Sequence, residues 1–303
     1  MNDTVTVYQY MENFVTGINT ENATSQSLEC WRKMCVARTF ELNVKKAFDA
    51  KAIRCPIYLS LGQESIPAAV STLYKNPAIF AQHRAHSTYL SFGGDPETLI
   101  DELLLKPTGC SGGMGGSASI QDKSISMFGH TGFIGDQIPI SVGFALGAAR
   151  NVLTIFGDAA AEEDYAASSI GYAAHKKLPI LFVCEDNNLS ILTEVKVRRS
   201  WKIVDVARAM GVAAEDISDD PWEIMQSVSE MIGHLPALLN IHTIRHLWHS
   251  GTGIDGAPAY DRFLLTREKL SSMGLSSEVA AIEDEAAKRM ENLWQTKVYQ
   301  RVS

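Results

Sequence analysis

The chain contains 303 residues, of which 46% are hydrophobic and 20% are charged. This length suits one large α/β domain or two small ones, and the composition excludes a disordered or collagen-like chain. The 27 Lys and Arg against 35 Asp and Glu give a net charge of −8, which favours neither nucleic-acid nor anionic-membrane binding. No apolar run approaches the roughly 20 residues of a membrane-spanning helix. We expect no signal peptide, and we expect reduced cysteines in a cytoplasmic protein.

The N-terminal half is predicted to be mainly helical. Apolar residues at three-to-four spacing indicate helices over 29–51 and 63–75. The glycine-rich segment GCSGGMGG at 109–116 is too irregular for a helix, and another helix is predicted over 137–150. The small residues of that helix, which suit close packing in a core or at a subunit interface, are Gly143, Ala145, Gly147 and Ala148.

A strand–helix–strand pattern follows. The segment NVLTIF at 151–156 is apolar and partly β-branched, which is typical of a buried strand. Residues 161–176 suit a helix with acidic side chains in its first turn. Residues 178–186 form a second apolar strand, in which Cys184 is predicted to be a core residue. Elements of these lengths indicate a βαβ unit with parallel strands.

The C-terminal part continues the alternation of helix and strand. We predict a helix over about 220–233 and a strand over 236–245. A long amphipathic helix is predicted over about 276–296. It starts at a capping-box pattern in which Ser276 or Ser277 precedes acidic residues.

These elements predict an α/β fold, an open and mostly parallel sheet with helices on both faces. We expect one domain over residues 28–303, preceded by an N-terminal extension over 1–27. Ligands of such sheets bind outside the carboxyl ends of the strands. The residues that directly follow the predicted strands are therefore the first candidates for a functional site.

Two of these strand ends carry candidate metal ligands. Asp158 follows the first strand of the βαβ unit, and Asn187 follows the second, 29 residues later. If the strands are neighbours, a carboxylate oxygen and an amide oxygen face one crevice. This suits Mg²⁺, which prefers about six oxygen ligands and often shares them with a phosphate. The alternative is that both are turn residues without a ligand.

Seven segments, in order along the chain, carry a resemblance to a known family. They are LGQES (61–65), HRAHSTYLSFGGDP (83–96), TGCSGGMGGSASI (108–120), FGHTGFIGDQIPISVGFALGAA (128–149), IFGDAAAEEDYAASS (155–169), KLPILFVCEDNN (177–188) and HTIRHLWHSGTG (242–253). The GDA and DNN groups resemble the thiamine diphosphate motif, GDG followed by NN. Over about residues 28–300 the chain resembles the α subunit of thiamine-diphosphate-dependent 2-oxo acid dehydrogenases. These are the decarboxylating components of the pyruvate, acetoin and branched-chain complexes.

The resemblance implies the fold of that family and two cofactors, thiamine diphosphate and Mg²⁺. It implies that the metal ligands are the Asp158 and Asn187 side chains and the Leu189 carbonyl. The positions that match cofactor-binding residues are His83, Arg84, Gly132, Ile134, Gly157, Asp158, Ala159, Ala160, Asn187 and His249. Among these, Arg84 is expected to hold the diphosphate, and Ile134 is expected to wedge the cofactor into its bent form. Backbone groups of Gly132 and Ile134 are expected to hydrogen-bond the pyrimidine ring.

The resemblance also implies how the reaction is catalysed and with which partners. His86 and His249 match two active-site histidines, which implies that they hydrogen-bond the diphosphate or shuttle a proton. In this family the glutamate that activates the cofactor comes from a separate β subunit. The resemblance therefore implies an α₂β₂ heterotetramer that decarboxylates a small 2-oxo acid. The acyl unit is then expected to pass to the lipoyl group of an acyltransferase.

A few positions depart from the pattern of the family. They are Tyr58 for a histidine, Ala159 for the last glycine of GDG, Glu162 for a common Asn, and Trp248 for a glycine before His249. The methyl group of Ala159 is a modest change if its φ is negative and a serious one if its φ is positive. Two alternatives stay open on these grounds. One is a carboligase that transfers the acyl carbanion to an aldehyde or ketone, and the other is a non-catalytic scaffolding paralogue.

Overall fold

A computed structural model describes residues 20–254 and 256–299. The expectation of no signal peptide concerns residues 1–19, which lie outside the described residues. The α-helices are α1 (Thr20–Asp49), α2 (Ser65–Leu73), α3 (His86–Ser91), α4 (Pro96–Leu103), α5 (Gln137–Ala148), α6 (Asp164–Lys176), α7 (Val195–Arg198), α8 (Ile203–Ala209), α9 (Pro221–Met231), α10 (Arg262–Ser272) and α11 (Ser276–Trp294). The strands are β1 (Ala78–Phe80), β2 (Met127–Phe128), β3 (Val152–Gly157), β4 (Ile180–Asp186), β5 (Leu189–Ser190), β6 (Thr193–Glu194), β7 (Ala213–Ser218) and β8 (Ala237–His242). No helix in the described ranges is long and apolar enough to cross a membrane.

The main sheet has six strands in the order β2-β1-β3-β4-β8-β7, and every neighbouring pair is parallel. This confirms the predicted α/β fold. Strands β3 and β4 are neighbours, with Gly157 opposite Glu185, so the ends that carry Asp158 and Asn187 lie at one edge. The sequence did not predict β1, β2 and β7. Strands β1 and β2 span only three and two residues, and β7 is partly polar. None of the three shows a clear strand pattern in the sequence.

Alternate residues of the central strands pack on opposite faces of the sheet. Leu153 and Ile155 belong to a buried cluster with α1, α2 and α9. Val152 and Phe156 belong to a second cluster with α5, α6 and α8, and Cys184 is a fully buried member of it, as predicted. Helices therefore cover both faces, and the polar residues after the strands collect at the carboxyl edge.

The first helix crosses the boundary that the sequence placed between residues 27 and 28. Helix α1 is continuous from Thr20, earlier than predicted. Ala23 and Ser27 are both buried, and the Ser27 hydroxyl accepts a hydrogen bond from Trp222 Nε1 at 3.0 Å. Residues 23–27 thus pack with the domain, while the division of the chain into an extension and one domain stays a prediction.

Two details of the predicted helices are wrong. Residues 160–162 form a 3₁₀ turn, and α6 begins only at Asp164, so Glu162 lies outside the helix. The capping box at the start of α11 does not form. Leu275 occupies the cap without a side-chain hydrogen bond, because the first helical bond runs from Val279 N–H to the Leu275 carbonyl at 2.9 Å.

The glycine-rich segment folds around a buried carboxylate. The Glu102 side chain is fully buried at the end of α4. Its two oxygens accept hydrogen bonds at 2.8–2.9 Å from the backbone N–H groups of Ser111, Gly113, Gly115 and Gly116. Backbone donors arranged in this way bind anions. The anion here is Glu102 itself, so these N–H groups are not free to bind a phosphate.

The LGQES segment is held by a second buried carboxylate. Glu64 accepts from Gly62 N–H at 3.0 Å and pairs with Arg38, which also pairs with Asp261. Gly62 has a φ of +96°, and a Cβ there would overlap the Ile244 carbonyl oxygen. Only glycine fits this turn.

Candidate active site

A cavity opens at the carboxyl edge of the sheet, where β3 and β4 end. Its walls come from the segment before α3, the loop before α5, the turn after β3 and the chain after β4. The structure brings together most of the predicted site residues around this cavity. They are His83, Arg84, Ile134, Gly157, Asp158, Ala159, Ala160, Asn187, Leu189 and His249. Two predicted residues, His86 and Gly132, do not line it.

The three predicted metal ligands lie at adjacent strand ends. Asp158 is 2% exposed, and burial, reinforced by the nearby Asp186 carboxylate, raises the pKa of Asp158 to about 6. The Asn187 side chain is oriented at both ends. Its Nδ2 donates to Gln63 Oε1 at 3.5 Å, and its Oδ1 accepts from Leu189 N–H at 3.1 Å.

This donor set fits Mg²⁺ when a phosphate is present. A carboxylate, an amide and a backbone carbonyl are hard oxygen ligands, and Mg²⁺ completes about six positions with water and phosphate oxygens. Within the described part of the chain, no group of three or more His, Cys, Asp or Glu could hold a metal ion by itself. A metal at Asp158 would therefore also need neutral oxygens such as those of Asn187 and Leu189.

The alanine in the GDA motif adopts an ordinary backbone conformation. Ala159 has a φ of −68° and a ψ of −36°, which any L-residue adopts without strain. Because the φ of Ala159 is negative, replacing the glycine of GDG by alanine is a modest change and not a serious one. Gly157, by contrast, is confined, because a Cβ there would lie 3.1 Å from Gln82 Oε1.

Two arginines that the sequence did not reveal contact Asp158. Arg198, the last residue of α7, contacts Asp158 Oδ2 through Nη2 and Glu162 Oε1 through Nη1. Arg199 donates to the Asp158 carbonyl oxygen at 2.9 Å. The contacting residues are about 40 positions apart in sequence, so no local sequence pattern could predict these contacts.

The opposite charge of the cavity comes from buried guanidinium groups. Arg84 is 3% exposed and donates to the carbonyl oxygens of Leu59 at 2.6 Å and of His249 at 3.1 Å. Burial, with the neighbouring Arg245, lowers the pKa of Arg84 to about 10, so it stays protonated at pH 7. Arg245 is also buried and lines the cavity. Two buried cations on one wall favour an anionic ligand.

Aromatic rings pack together beside these cations. The rings of His83 and His249 lie 5.4 Å apart, and the Tyr58 ring lies 4.9 Å from the first and 5.6 Å from the second. Burial lowers the pKa of His83 well below its usual value, and the Arg84 charge adds to this. His83 Nε2 is buried without a hydrogen-bond partner among the described residues. A neutral imidazole with one free nitrogen is suited to hydrogen-bond a bound ligand.

A buried carboxylate under the cavity is a further feature that the sequence did not reveal. Glu185, on β4, is 2% exposed, and burial raises its pKa to about 7. Gln82 Nε2 donates to it, and Gln82 lines the cavity. Gln82 directly precedes HRAH in the sequence, and this position could have marked Gln82 as a cavity residue.

The loop before α5 only partly matches its expected role. Ile134 lines the cavity and is 42% exposed. One backbone group of each residue expected to contact the pyrimidine ring is engaged within the chain. Gly132 N–H donates to His130 Nδ1 at 3.0 Å, and the Ile134 carbonyl accepts from the Tyr165 hydroxyl. The ring-binding roles of Gly132 and Ile134 stay predictions.

His86 lies outside the cavity and makes structural contacts, and its predicted catalytic role stays a prediction. Its ring is fully buried outside the cavity. Nδ1 lies 3.0 Å from Glu41 Oε2, and Nε2 lies 2.9 Å from Ser117 Oγ. Ser117 Oγ in turn accepts from Tyr58 N–H at 2.9 Å. Both ring nitrogens are used, and His86 supports the segment that carries Tyr58.

These contacts give different expectations for the two histidines. We expect His86→Gln to lower the free energy of unfolding by about 2–3 kcal/mol, because glutamine cannot bridge Glu41 and Ser117. We expect His249→Gln to change it by less than about 0.5 kcal/mol, since that ring is partly exposed. Urea unfolding followed by circular dichroism measures both. A His86→Gln protein that is as stable as the wild type but has lost activity would show that His86 takes part in catalysis.

An open parallel sheet whose carboxyl edge carries a buried carboxylate beside buried guanidinium groups defines an α/β protein with a candidate ligand site at that edge. Comparison with known proteins is consistent with this class. A transketolase from Leishmania mexicana matches with a TM-score of 0.55 at 14% identity, over 90% of this chain and 47% of that chain. The structural match establishes the shared fold.

Sequence comparison goes further. Residues 32–262 match the family described as the dehydrogenase E1 component, and the chain belongs to this family. It is 28% identical over 236 residues to the mitochondrial pyruvate dehydrogenase E1 component subunit alpha-1 of Oryza sativa subsp. japonica, covering 75% of this chain and 60% of that protein. It is 30% identical over 240 residues to the alpha-2 subunit of Arabidopsis thaliana, covering 76% and 61%. The chain thus spans about three fifths of the length of these plant relatives. The resemblance to α subunits of 2-oxo acid dehydrogenases is confirmed.

Proposed function

We propose that the chain is the α subunit of a thiamine-diphosphate- and Mg²⁺-dependent enzyme that decarboxylates a 2-oxo acid and transfers the acyl unit. One observation carries the proposal. A single cavity gathers the metal-ligand positions Asp158, Asn187 and Leu189 together with the buried guanidinium of Arg84. Cation-binding oxygens beside a fixed positive charge are what a metal diphosphate requires. Membership of the dehydrogenase E1 component family supports the same activity.

The residues of the chain have separate tasks in this proposal. Asp158, Asn187 and the Leu189 carbonyl hold the metal, and Arg84 holds the diphosphate in a site that largely excludes water. The cofactor, when bound, supplies a nucleophilic carbon and the electron sink for decarboxylation. His249, which is partly exposed and lines the cavity, can hydrogen-bond the reacting groups or transfer a proton through its imidazole nitrogens. Ile134 presents an apolar side chain to the cofactor ring.

The proposed enzyme needs a second subunit. In the proposal a β chain supplies the glutamate that activates the cofactor, in an α₂β₂ assembly. Large apolar side chains lie exposed near the cavity and on α5, among them Phe133, Ile140 and Leu146 at 75%, 46% and 51% exposure. Exposed apolar patches of this kind mark protein contacts. Four small residues of this helix were predicted to pack closely. Of these, Ala145 is buried, and Gly143, Gly147 and Ala148 are exposed.

Native mass spectrometry on the tagged chain from its own host tests the assembly. The expected species is an α₂β₂ heterotetramer that carries two thiamine diphosphates with Mg²⁺. The same preparation is expected to release CO₂ from a 2-oxo acid in a panel of such acids. A homo-oligomer that stays free of cofactor in excess thiamine diphosphate and Mg²⁺, and releases no CO₂, contradicts the proposal and favours the scaffolding paralogue.

The acceptor of the acyl unit is the remaining question. A lipoyl group on an acyltransferase is the acceptor expected of a dehydrogenase. One observation favours the carboligase as a second candidate, because Tyr58 contacts His83 and His249, which both line the cavity. Trp248, another departure from the family pattern, does not line it. Acyl transfer to lipoamide supports the dehydrogenase, and transfer to an aldehyde or ketone without transfer to lipoamide supports the carboligase.

A further inference from the structure

A side-chain cation already occupies the carboxylate that the proposed metal needs. The guanidinium of Arg198 is 12% exposed and contacts Asp158 Oδ2 and Glu162 Oε1 through different nitrogens. Its third nitrogen, Nε, donates to the Thr193 carbonyl at 3.1 Å. The guanidinium thus bridges two carboxylates and fastens them to the chain that follows β4.

Electrostatics sets this contact against metal binding at Asp158 Oδ2. A buried carboxylate without a counter-charge is costly, and Arg198 supplies that charge to Asp158. A divalent cation on the same oxygen would lie within a few ångströms of the guanidinium, where like charges repel strongly in a buried site. Arg198 is therefore expected to leave Asp158 when the metal binds. Glu162, which it already contacts, can hold it after the exchange.

The same short segment carries Arg198 and a metal ligand. Leu189 lies in β5, which pairs with β6, and α7 follows directly. Val195 N–H, at the start of α7, donates to both the carbonyl and the side-chain oxygen of Asn188 at 3.1 Å. Hydrogen bonds of Val195 to Asn188 therefore connect the helix that carries Arg198 with the residue before Leu189.

We propose that Arg198 is the resident counter-ion of the metal site, neutralising Asp158 in the metal-free subunit and shifting onto Glu162 when a divalent cation binds. This inference rests on the proposed function. Its consequence is that Arg198 opposes binding of a free divalent cation. A cation that arrives with a diphosphate binds better, because the anion compensates for the positive charge that stays in the site.

Mn²⁺ binding to the full chain with its co-purified partner tests the proposal without any activity measurement. Electron paramagnetic resonance measures free Mn²⁺ in the absence of thiamine diphosphate. We expect Arg198→Gln to bind Mn²⁺ about tenfold more tightly than the wild type. The matched control is Lys196→Gln, which removes one positive charge from the same helix at a side chain that is 77% exposed, and is expected to change affinity less than about twofold.

Two further variants separate the counter-ion role from a structural one. Glu162→Gln removes the second carboxylate partner of Arg198, so Mn²⁺ affinity is expected to fall about threefold. Arg198→Lys keeps the charge but cannot bridge two carboxylates, and we expect about threefold tighter binding; it replaces the glutamine variant if that one fails to fold.

The outcomes distinguish this inference from the proposed function. Tighter binding in both Arg198 variants, but not in Lys196→Gln, supports the counter-ion role. Unchanged or weaker binding in the Arg198 variants, with normal loading of Mn²⁺ and thiamine diphosphate together, overturns the inference and leaves the proposed function intact. Failure of every protein to bind Mn²⁺, even with thiamine diphosphate present, overturns both.

Discussion

Replacing Glu102 with glutamine is expected to lower the free energy of unfolding by about 3–5 kcal/mol. The carboxylate is the acceptor for four backbone N–H groups of the glycine-rich segment. A glutamine presents an NH₂ group to two of these donors, which cannot pair with it, and the other two lose a charged acceptor. The free energy of unfolding of an ordinary domain is about 5–15 kcal/mol, so the expected loss is a large share of it. Urea or thermal unfolding by circular dichroism measures it.

A matched control lies on the same helix. Glu97 is in the first turn of α4, and its side chain is 48% exposed and pairs with Lys297 at 2.8 Å. Exposed ion pairs contribute little, so Glu97→Gln is expected to cost less than about 1 kcal/mol. If the two variants unfold alike, Glu102 does not organise the segment, and the hydrogen bonds around it are incidental to stability.

Replacing Asp158 with asparagine is expected to weaken binding of thiamine diphosphate with Mg²⁺ by about a hundredfold or more, while the protein stays folded. Asp158 supplies the negative charge among the three metal-ligand positions, and the two others are neutral oxygens. In the proposed function the metal links the chain to the diphosphate, so both ligands are expected to be lost together. Isothermal titration and the ligand-induced rise in Tm on the assembled protein measure the effect.

The control for Asp158 is a nearby carboxylate outside the cavity. Asp164 starts α6 and is exposed, so Asp164→Asn is expected to leave cofactor affinity within about twofold of the wild type. An Asp158→Asn protein that still binds thiamine diphosphate tightly and with a requirement for Mg²⁺ would show that the metal lies elsewhere.

Local patterns explain why so much of the fold could be predicted. The apolar run of β4 and the βαβ order follow from residues that are close in sequence, so burial and periodicity identify them. Asp158 and Asn187 could be paired as ligands because each directly follows a predicted strand. Their being neighbours was a conditional statement, and the parallel pairing of β3 with β4 supplied the missing step.

What the sequence could not predict depends mainly on contact between residues far apart in the chain. Motif matching located His86 correctly in HRAH, but Glu41, 45 residues earlier, and Ser117, 31 residues later, decide where its ring points. Local preference cannot anticipate partners that only folding brings together. The predicted cap of α11 failed for a local reason, because the helix already begins at Ser276 and Leu275 therefore occupies the cap position.

The sequence by itself determined the α/β class, the family and the edge of the sheet where the site lies, because these depend on periodicity and on short ordered motifs. Only the tertiary structure decided that Ala159 is unstrained, that the glycine-rich segment encloses Glu102, and that Arg198 covers Asp158. Those three facts depend on backbone angles and on the pairing of buried charges. Buried charges require a partner, and the fold alone selects which one is within reach.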